Sequence, residues 1–252
     1  MVDGGARSSG KNPMRRADLG LQTFPATLFD YNGVLADDET VHLEAFRDAL
    51  APAGISVSES DYVERYLGFD DRGAFRAILI DSGRTPSEQE ILELVAVKKP
   101  LYLARAEARL PTFAGAADLV RRRAERGPVG VVSGALREEI ALGLRVLGVE
   151  AHVRYVVSAE DTRACKPDPE GYVIGVERLS AEMGPELAKL ALVIEDSIAG
   201  IEAAKSAGLA CIAVTHSYGA SELTRAGADL AVENLDEISE EQLVALFKQL
   251  HG

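Results

Sequence analysis

Four groups of residues carry chemistry that a fold could bring together. Asp30 and Asn32 follow the apolar run Ala26-Thr-Leu-Phe29, and Gly33 behind them lets the backbone turn tightly. Ser133-Gly134 follows Val129-Gly-Val-Val132, and Glu195-Asp196 follows Ala191-Leu-Val-Ile194. Lys166 lies in the loop Ala164-Cys-Lys-Pro-Asp168. A carboxylate where a buried strand ends is held rigidly, so Asp30 is placed to act as a nucleophile or a metal ligand. Two acidic sites on one edge suit Mg²⁺, which takes oxygen ligands and keeps several waters. A hydroxyl, a backbone N–H at a helix start and a lysine suit a phosphate. Nucleophilic carboxylate, hard metal and phosphate clamp together are the parts of phosphoryl transfer through an aspartyl-phosphate.

The elements that must position these residues are read from the apolar periodicity. From residue 115 onward helices alternate with short apolar strands: helix 116–126, strand 129–132, helix 138–147, strand 155–157, helix 169–179, strand 191–194, helix 198–207, strand 211–214, strand 230–232 and a closing helix 240–250. Short apolar strands between helices imply an α/β fold, a doubly wound parallel sheet covered on both faces. In such a sheet the polar residues at the strand ends share one edge. Between the first strand and residue 109 the pattern is helical only, with Asp38 as a candidate cap for the first helix and Ser87 or Thr85 for the last. Pro100 should kink or restart that last helix. The expected organisation is a core domain of residues 21–37 and 110–252, a helical domain of residues 38–109 inserted into it, and a disordered tail over 1–20.

Composition sets outer bounds. The 252 residues are 47% hydrophobic and carry a net charge of −13, which argues against nucleic acid or an anionic membrane as the main partner. Cys165 and Cys211 form no framework and read as reduced thiols. The N-terminal stretch has no apolar core of a secretory signal, and no run is apolar for long enough to span a bilayer. A cytoplasmic protein, monomeric or weakly dimeric, is expected.

The stretches Phe-Asp30-Tyr-Asn32-Gly-Val-Leu35, Val-Val-Ser133-Gly134, Cys-Lys166-Pro-Asp168-Pro and Ile-Glu195-Asp196-Ser-Ile-Ala-Gly200, in that order, resemble the haloacid dehalogenase superfamily. The match is nearest to its phosphoglycolate phosphatase and β-phosphoglucomutase-like branch, which has a Rossmann-like core and a helical cap. The resemblance implies a Mg²⁺-dependent phosphatase acting on a small phosphorylated metabolite. It implies Asp30 as the phosphorylated nucleophile, and Asp30, Asp196 and the Asn32 carbonyl as metal ligands. Glu195 is implied as a ligand or its neighbour, and Ser133, the Gly134 N–H and Lys166 as the phosphate site. His42, Gly68 and Arg72 are implied to contact substrate from the cap, with Arg65 and Lys98 as further candidates.

One residue departs from the family pattern. Relatives usually place an acid/base Asp two residues after the nucleophile, where this chain has Asn32. An amide has no titrating proton near neutral pH, and acid–base help is worth roughly 10²–10⁴-fold, so slow turnover is expected. A phosphosugar mutase, which needs a proton relay, and a ligand-binding relative with low turnover are the alternatives.

Overall fold

A computed structural model describes residues 21–251. The expected tail over 1–20 lies outside the described residues. The core elements are β1 (Thr27–Phe29), α5 (Ala116–Ala124), β2 (Val129–Val132), α6 (Arg137–Leu147), β3 (Tyr155–Val157), α7 (Glu170–Met183), α8 (Pro185–Ala188), β4 (Leu192–Glu195), α9 (Ile198–Ser206), β5 (Ala210–Val214), α10 (Ala220–Ala226), β6 (Leu230–Val232) and α11 (Glu240–His251). Between β1 and α5 the chain forms α1 (Glu39–Leu50), α2 (Glu59–Asp61), α3 (Asp71–Asp81) and α4 (Glu88–Ala108).

The six strands pair in the order β3-β2-β1-β4-β5-β6, all parallel. Successive side chains along a strand point to opposite faces, and both faces are covered. Phe29, Val131 and Ile194 pack on one side with Leu119, Ile140, Leu243 and Phe247. Leu28, Val132 and Val193 pack on the other with Tyr172, Leu179 and Ile201. The strand order reverses at β1. The chain winds outward through β2 and β3, then crosses back to β4, which opens a crevice at the C-terminal ends of β1 and β4.

The insertion has its own apolar cluster, built from Leu43, Phe46, Leu50, Tyr62, Phe75, Ile78 and Ile91. Asp70 accepts from the Gly73 N–H at 2.8 Å and caps α3, and Ser87 accepts from the Glu90 N–H at 3.1 Å and caps α4. Pro100 lies inside α4, which runs from Glu88 to Ala108 without a restart. One local expectation needs correction. Asp38 occupies the N-cap position of α1 without making a side-chain cap bond, because its carboxylate is engaged elsewhere.

Candidate active site

Register places the chemistry. Phe29 sits opposite Val131 in β2 and Ile194 in β4, so Asp30, Ser133 and Glu195 emerge close together at the sheet edge. The ladder continues past the strands: the Asp30 N–H donates to the Ile194 carbonyl and the Ser133 N–H to the Val157 carbonyl, each at 3.0 Å. These bonds fix the backbone from which the reactive side chains project.

Lys166 reaches into this edge from its loop. Its Nζ lies 2.8 Å from Asp30 Oδ1 and 2.6 Å from Glu195 Oε1. Glu195 is fully engaged. Its Oε1 also accepts from the Tyr172 hydroxyl at 2.7 Å, and Oε2 accepts from the Asp196 N–H at 3.1 Å and from the Ser197 N–H and hydroxyl. Asp196 accepts from the Ser217 hydroxyl. Two glycines let these carboxylates sit where they do. A Cβ on Gly33, whose φ is +76°, would meet Asp196 Oδ2 at 2.0 Å, and one on Gly200 would meet Glu195 Oε1 at 1.9 Å.

The edge holds more negative charge than one lysine balances. Burial, with Glu195 nearby, raises Asp30 to about 6 despite the opposing pull of Lys166. Burial together with Glu195 and Asp30 raises Asp196 well above the usual carboxylate range. Burial would depress Lys166, but Asp30 and Glu195 outweigh it and hold the ammonium above its ordinary value. Oxygens of Asp30, Glu195 and Asp196 lie within 4.8 Å of one another, close enough to share a cation. Because Glu195 is consumed by five donors, Asp30 and Asp196 are the carboxylates left to bind one directly.

A second polar network meets Asn32 from the insertion. The Asn32 Nδ2 donates to both oxygens of Asp38 at 3.0 Å, and its Oδ1 accepts from the Ser133 hydroxyl at 3.2 Å. Asp38 is fully buried and also accepts from the Tyr102 hydroxyl, with His42 Nε2 at 3.3 Å. Burial alone would raise Asp38, but His42, Tyr102 and Asn32 hold it below the usual range. The Lys98 ammonium stands 2.7 Å from His42 Nδ1, pairs with Asp71 and lies 4.5 Å over the Phe46 ring. Donation from Lys98 to Nδ1 assigns the neutral imidazole proton to Nε2, facing Asp38.

A cavity of about 100 Å³ lies between edge and insertion. Asp30, Asn32, His42, Gly68, Ser133, Gly134, Lys166 and Asp196 all line it. Four expected residues do not. Glu195 sits beneath the floor with no exposure, and Lys98 is buried behind the wall with Asp71. Arg72 is exposed outside the cavity, and its two sequence neighbours Asp70 and Asp71 line it instead. Arg65 is likewise turned to an ion pair with Asp81. Sequence reasoning missed Tyr102, Tyr172, Ser217 and the buried role of Asp38. The available signal was spacing: Asp38 with His42, and Lys98 with Tyr102, are each four apart on a helix and share a face.

Comparison with known proteins agrees with this geometry. The family model described as haloacid dehalogenase-like hydrolase matches residues 24–208. The chain is 31% identical over 216 residues to validoxylamine A 7'-phosphate phosphatase of Streptomyces hygroscopicus subsp. limoneus, covering 85% of this chain and 96% of that one. It is 29% identical to the phosphorylated carbohydrates phosphatase of Thermotoga maritima, covering 81% and 91%. Among solved structures, β-phosphoglucomutase from Clostridium difficile superposes with a TM-score of 0.75 at 20% identity, covering 90% and 98% of the two chains. That likeness concerns the fold.

Proposed function

Because the chain belongs to the haloacid dehalogenase-like hydrolases, we propose that it is a Mg²⁺-dependent phosphatase of small phosphorylated carbohydrates, working through an aspartyl-phosphate on Asp30. The observation that carries this reading is the meeting of Asp30, Lys166 and Asp196 on one cavity wall at the reversal of the sheet. The names of the two curated relatives point to the same substrate class. A divalent cation fits the oxygen donors and the surplus charge of the edge. Asp30, Asp196 and the Asn32 carbonyl would hold it, and it would neutralise the phosphoryl oxygens when bound.

In this mechanism an Asp30 oxygen attacks phosphorus and the bond from phosphorus to the ester oxygen breaks, the departing alkoxide taking a proton from solvent to leave as the alcohol. Water then attacks the phosphoryl group and gives up its proton to solvent, and the bond to Asp30 breaks to give inorganic phosphate. Ser133, the Gly134 N–H and Lys166 hold the phosphoryl oxygens, and Lys166 also balances charge crowded against Asp30. Glu195 takes no direct part and instead holds Lys166 in place. Asn32 orients the reacting oxygens without carrying a proton. Residues 38–109 act as a cap on the core of residues 21–37 and 110–252, with His42 and Gly68 on the substrate side. We place the enzyme in the cytoplasm, as a monomer or weak dimer; no helix among the described residues is long and apolar enough to cross a membrane.

A second reading draws on one observation. Both polar groups of Asn32 are already satisfied, by Asp38 and Ser133, which favours a phosphoenzyme that forms but hydrolyses slowly. A panel of sugar phosphates with and without Mg²⁺ separates the readings. Sustained phosphate release that needs Mg²⁺ supports the phosphatase, a single burst supports the slow form, and production of a sugar phosphate isomer identifies a mutase.

A further inference from the structure

The wall that the insertion presents to the cavity has a charge that the proposed chemistry does not use. Five carboxylates line the cavity: Asp30, Glu39, Asp70, Asp71 and Asp196. Lys166 is the one lysine or arginine among the lining residues described, and it is committed to Asp30 and Glu195. Asp30 and Asp196 belong to the phosphoryl site. Asp71 is neutralised by Lys98. Glu39 and Asp70 remain, and neither is in an ion pair, although His42 and Lys98 lie near Glu39 and Arg72 and Arg76 near Asp70. Glu39 accepts only from the Tyr62 hydroxyl, at 2.8 Å, and Asp70 from the Gly73 N–H. Burial raises both above their ordinary values, outweighing the opposing pull of His42 and Lys98 on Glu39 and of Arg72 and Arg76 on Asp70. The arginines nearest Asp70 do not line the cavity: Arg72 is exposed, and Arg76 is paired with Glu88 at 2.5 Å.

The second observation is aromatic. Tyr62, Phe69 and Tyr218 also line the cavity, and Phe69 is 52% exposed; the Phe46 ring lines it too but already carries the Lys98 ammonium. Aromatic faces beside carboxylates, with water partly excluded, are the surroundings that bind an ammonium group. Apart from His42 and the Tyr62 phenol, the titratable side chains of the insertion that line the cavity are carboxylates, so a second phosphate or a carboxylate on the substrate would meet net negative charge on this wall.

We propose that the cavity selects monophosphate esters whose remote part bears a protonated amine, with Glu39 and Asp70 as the residues that set this preference. The proposal rests on the phosphatase reading for its substrate class and specifies the end of the substrate away from phosphorus. It excludes bisphosphates and phosphorylated sugar acids as good substrates.

The test uses the full chain with Mg²⁺ and three esters: glucosamine 6-phosphate, glucose 6-phosphate and 6-phosphogluconate. They present an ammonium, a hydroxyl and a carboxylate on similar frames. The expected order of kcat/KM is amine, neutral, acid, with the amine ahead of the neutral sugar by about tenfold or more, the scale of one charge-assisted contact. The double variant Glu39→Gln, Asp70→Asn should bring that ratio near unity. It should also fold, because glutamine still accepts from Tyr62 and asparagine still caps α3. Equal rates on the first two esters in the native protein overturn the amine preference and leave the phosphatase reading intact. If no ester is hydrolysed, calorimetry decides. Glucosamine 6-phosphate binding tenfold tighter than glucose 6-phosphate sustains the preference without the activity, and equal binding removes both.

Discussion

At the sheet edge one lysine faces three carboxylates, and Asp30 and Asp196 are both pushed toward protonation. In the insertion a buried lysine faces Asp71 and His42, and the chain of contacts runs on through Asp38 to Tyr102 and Asn32. Both regions bury charge. The edge keeps an excess that a metal ion and a phosphoryl group can relieve, whereas in this network of the insertion Lys98 and His42 stand against Asp71 and Asp38. An unbalanced cluster is poised to bind and react. A balanced one fixes geometry, holding α1, α4 and Asn32 in one arrangement.

Removing the nucleophile should have the largest effect. Asp30→Ala is expected to lower phosphate release by about 10⁴-fold or more, read as initial rates with Mg²⁺. The two lysines then test the contrast directly. Lys166→Met should reduce kcat by about 10²–10³-fold, the scale of losing one preorganised charge at the reacting centre. Lys98→Met should act on stability instead, costing about 3 kcal/mol in chemical denaturation because it strands the Asp71 carboxylate in a buried setting. If both lysines lower kcat equally and neither changes stability, the distinction between the regions fails.

Asn32 joins the two networks, and substitution there sharpens the comparison. Asn32→Asp sets a second carboxylate against the buried Asp38 at a distance where the amide now donates, 3.0 Å. Restoring the acid alone is therefore expected to change turnover by less than about tenfold. Adding Asp38→Asn returns a donor to the pair, and turnover should then rise by roughly 10²-fold as acid–base help is regained. A full gain from the single substitution would show that Asp38 does not constrain this position.

The smallest effect concerns the segment that leads into the Lys166 loop. Asp161 accepts from the Ser158 N–H and hydroxyl at 2.9 Å and pairs with Arg137 and Arg178. Burial is the largest single influence and opposes ionisation, but the Ser158 bonds and the two arginines together outweigh it and hold Asp161 below the usual value of 3.8. A depressed native value contributes stability above pH 3.8 that is lost as pH falls through the native value. Asp161→Asn should cost about 1 kcal/mol at pH 7, and native and variant stabilities should converge only as pH falls below 3.8 and through the depressed native value in urea titrations.

The sheet edge was readable because each strand is an apolar run with its polar residues directly behind it. Asp30, Ser133 and Glu195-Asp196 needed only the parallel register to meet. The insertion was less readable because its contacts join residues far apart in sequence. Tyr102 meets Asp38 across 64 positions and Lys98 meets His42 across 56, between helices whose crossing the periodicity does not determine. Asp38 shows how local chemistry misleads: an aspartate before a helix is a good cap, yet burial beside Asn32 and Tyr102 gave it other partners. Arg72 shows the same in reverse. It was expected to contact substrate from the cap, but once Asp70 caps α3 the cavity is lined by Asp70 and Asp71, and Arg72 is exposed.

The central claim is that Asp30 carries the phosphoryl group, and chemical trapping tests it most directly. Enzyme turning over a sugar phosphate with Mg²⁺ is quenched and treated with borohydride, which reduces an acyl phosphate to the alcohol. Peptide mass spectrometry should then find homoserine at position 30 in the native protein and none after incubation without substrate. Asp30 recovered unreduced while phosphate is still being released, or reduction at another carboxylate such as Asp196, would contradict the account.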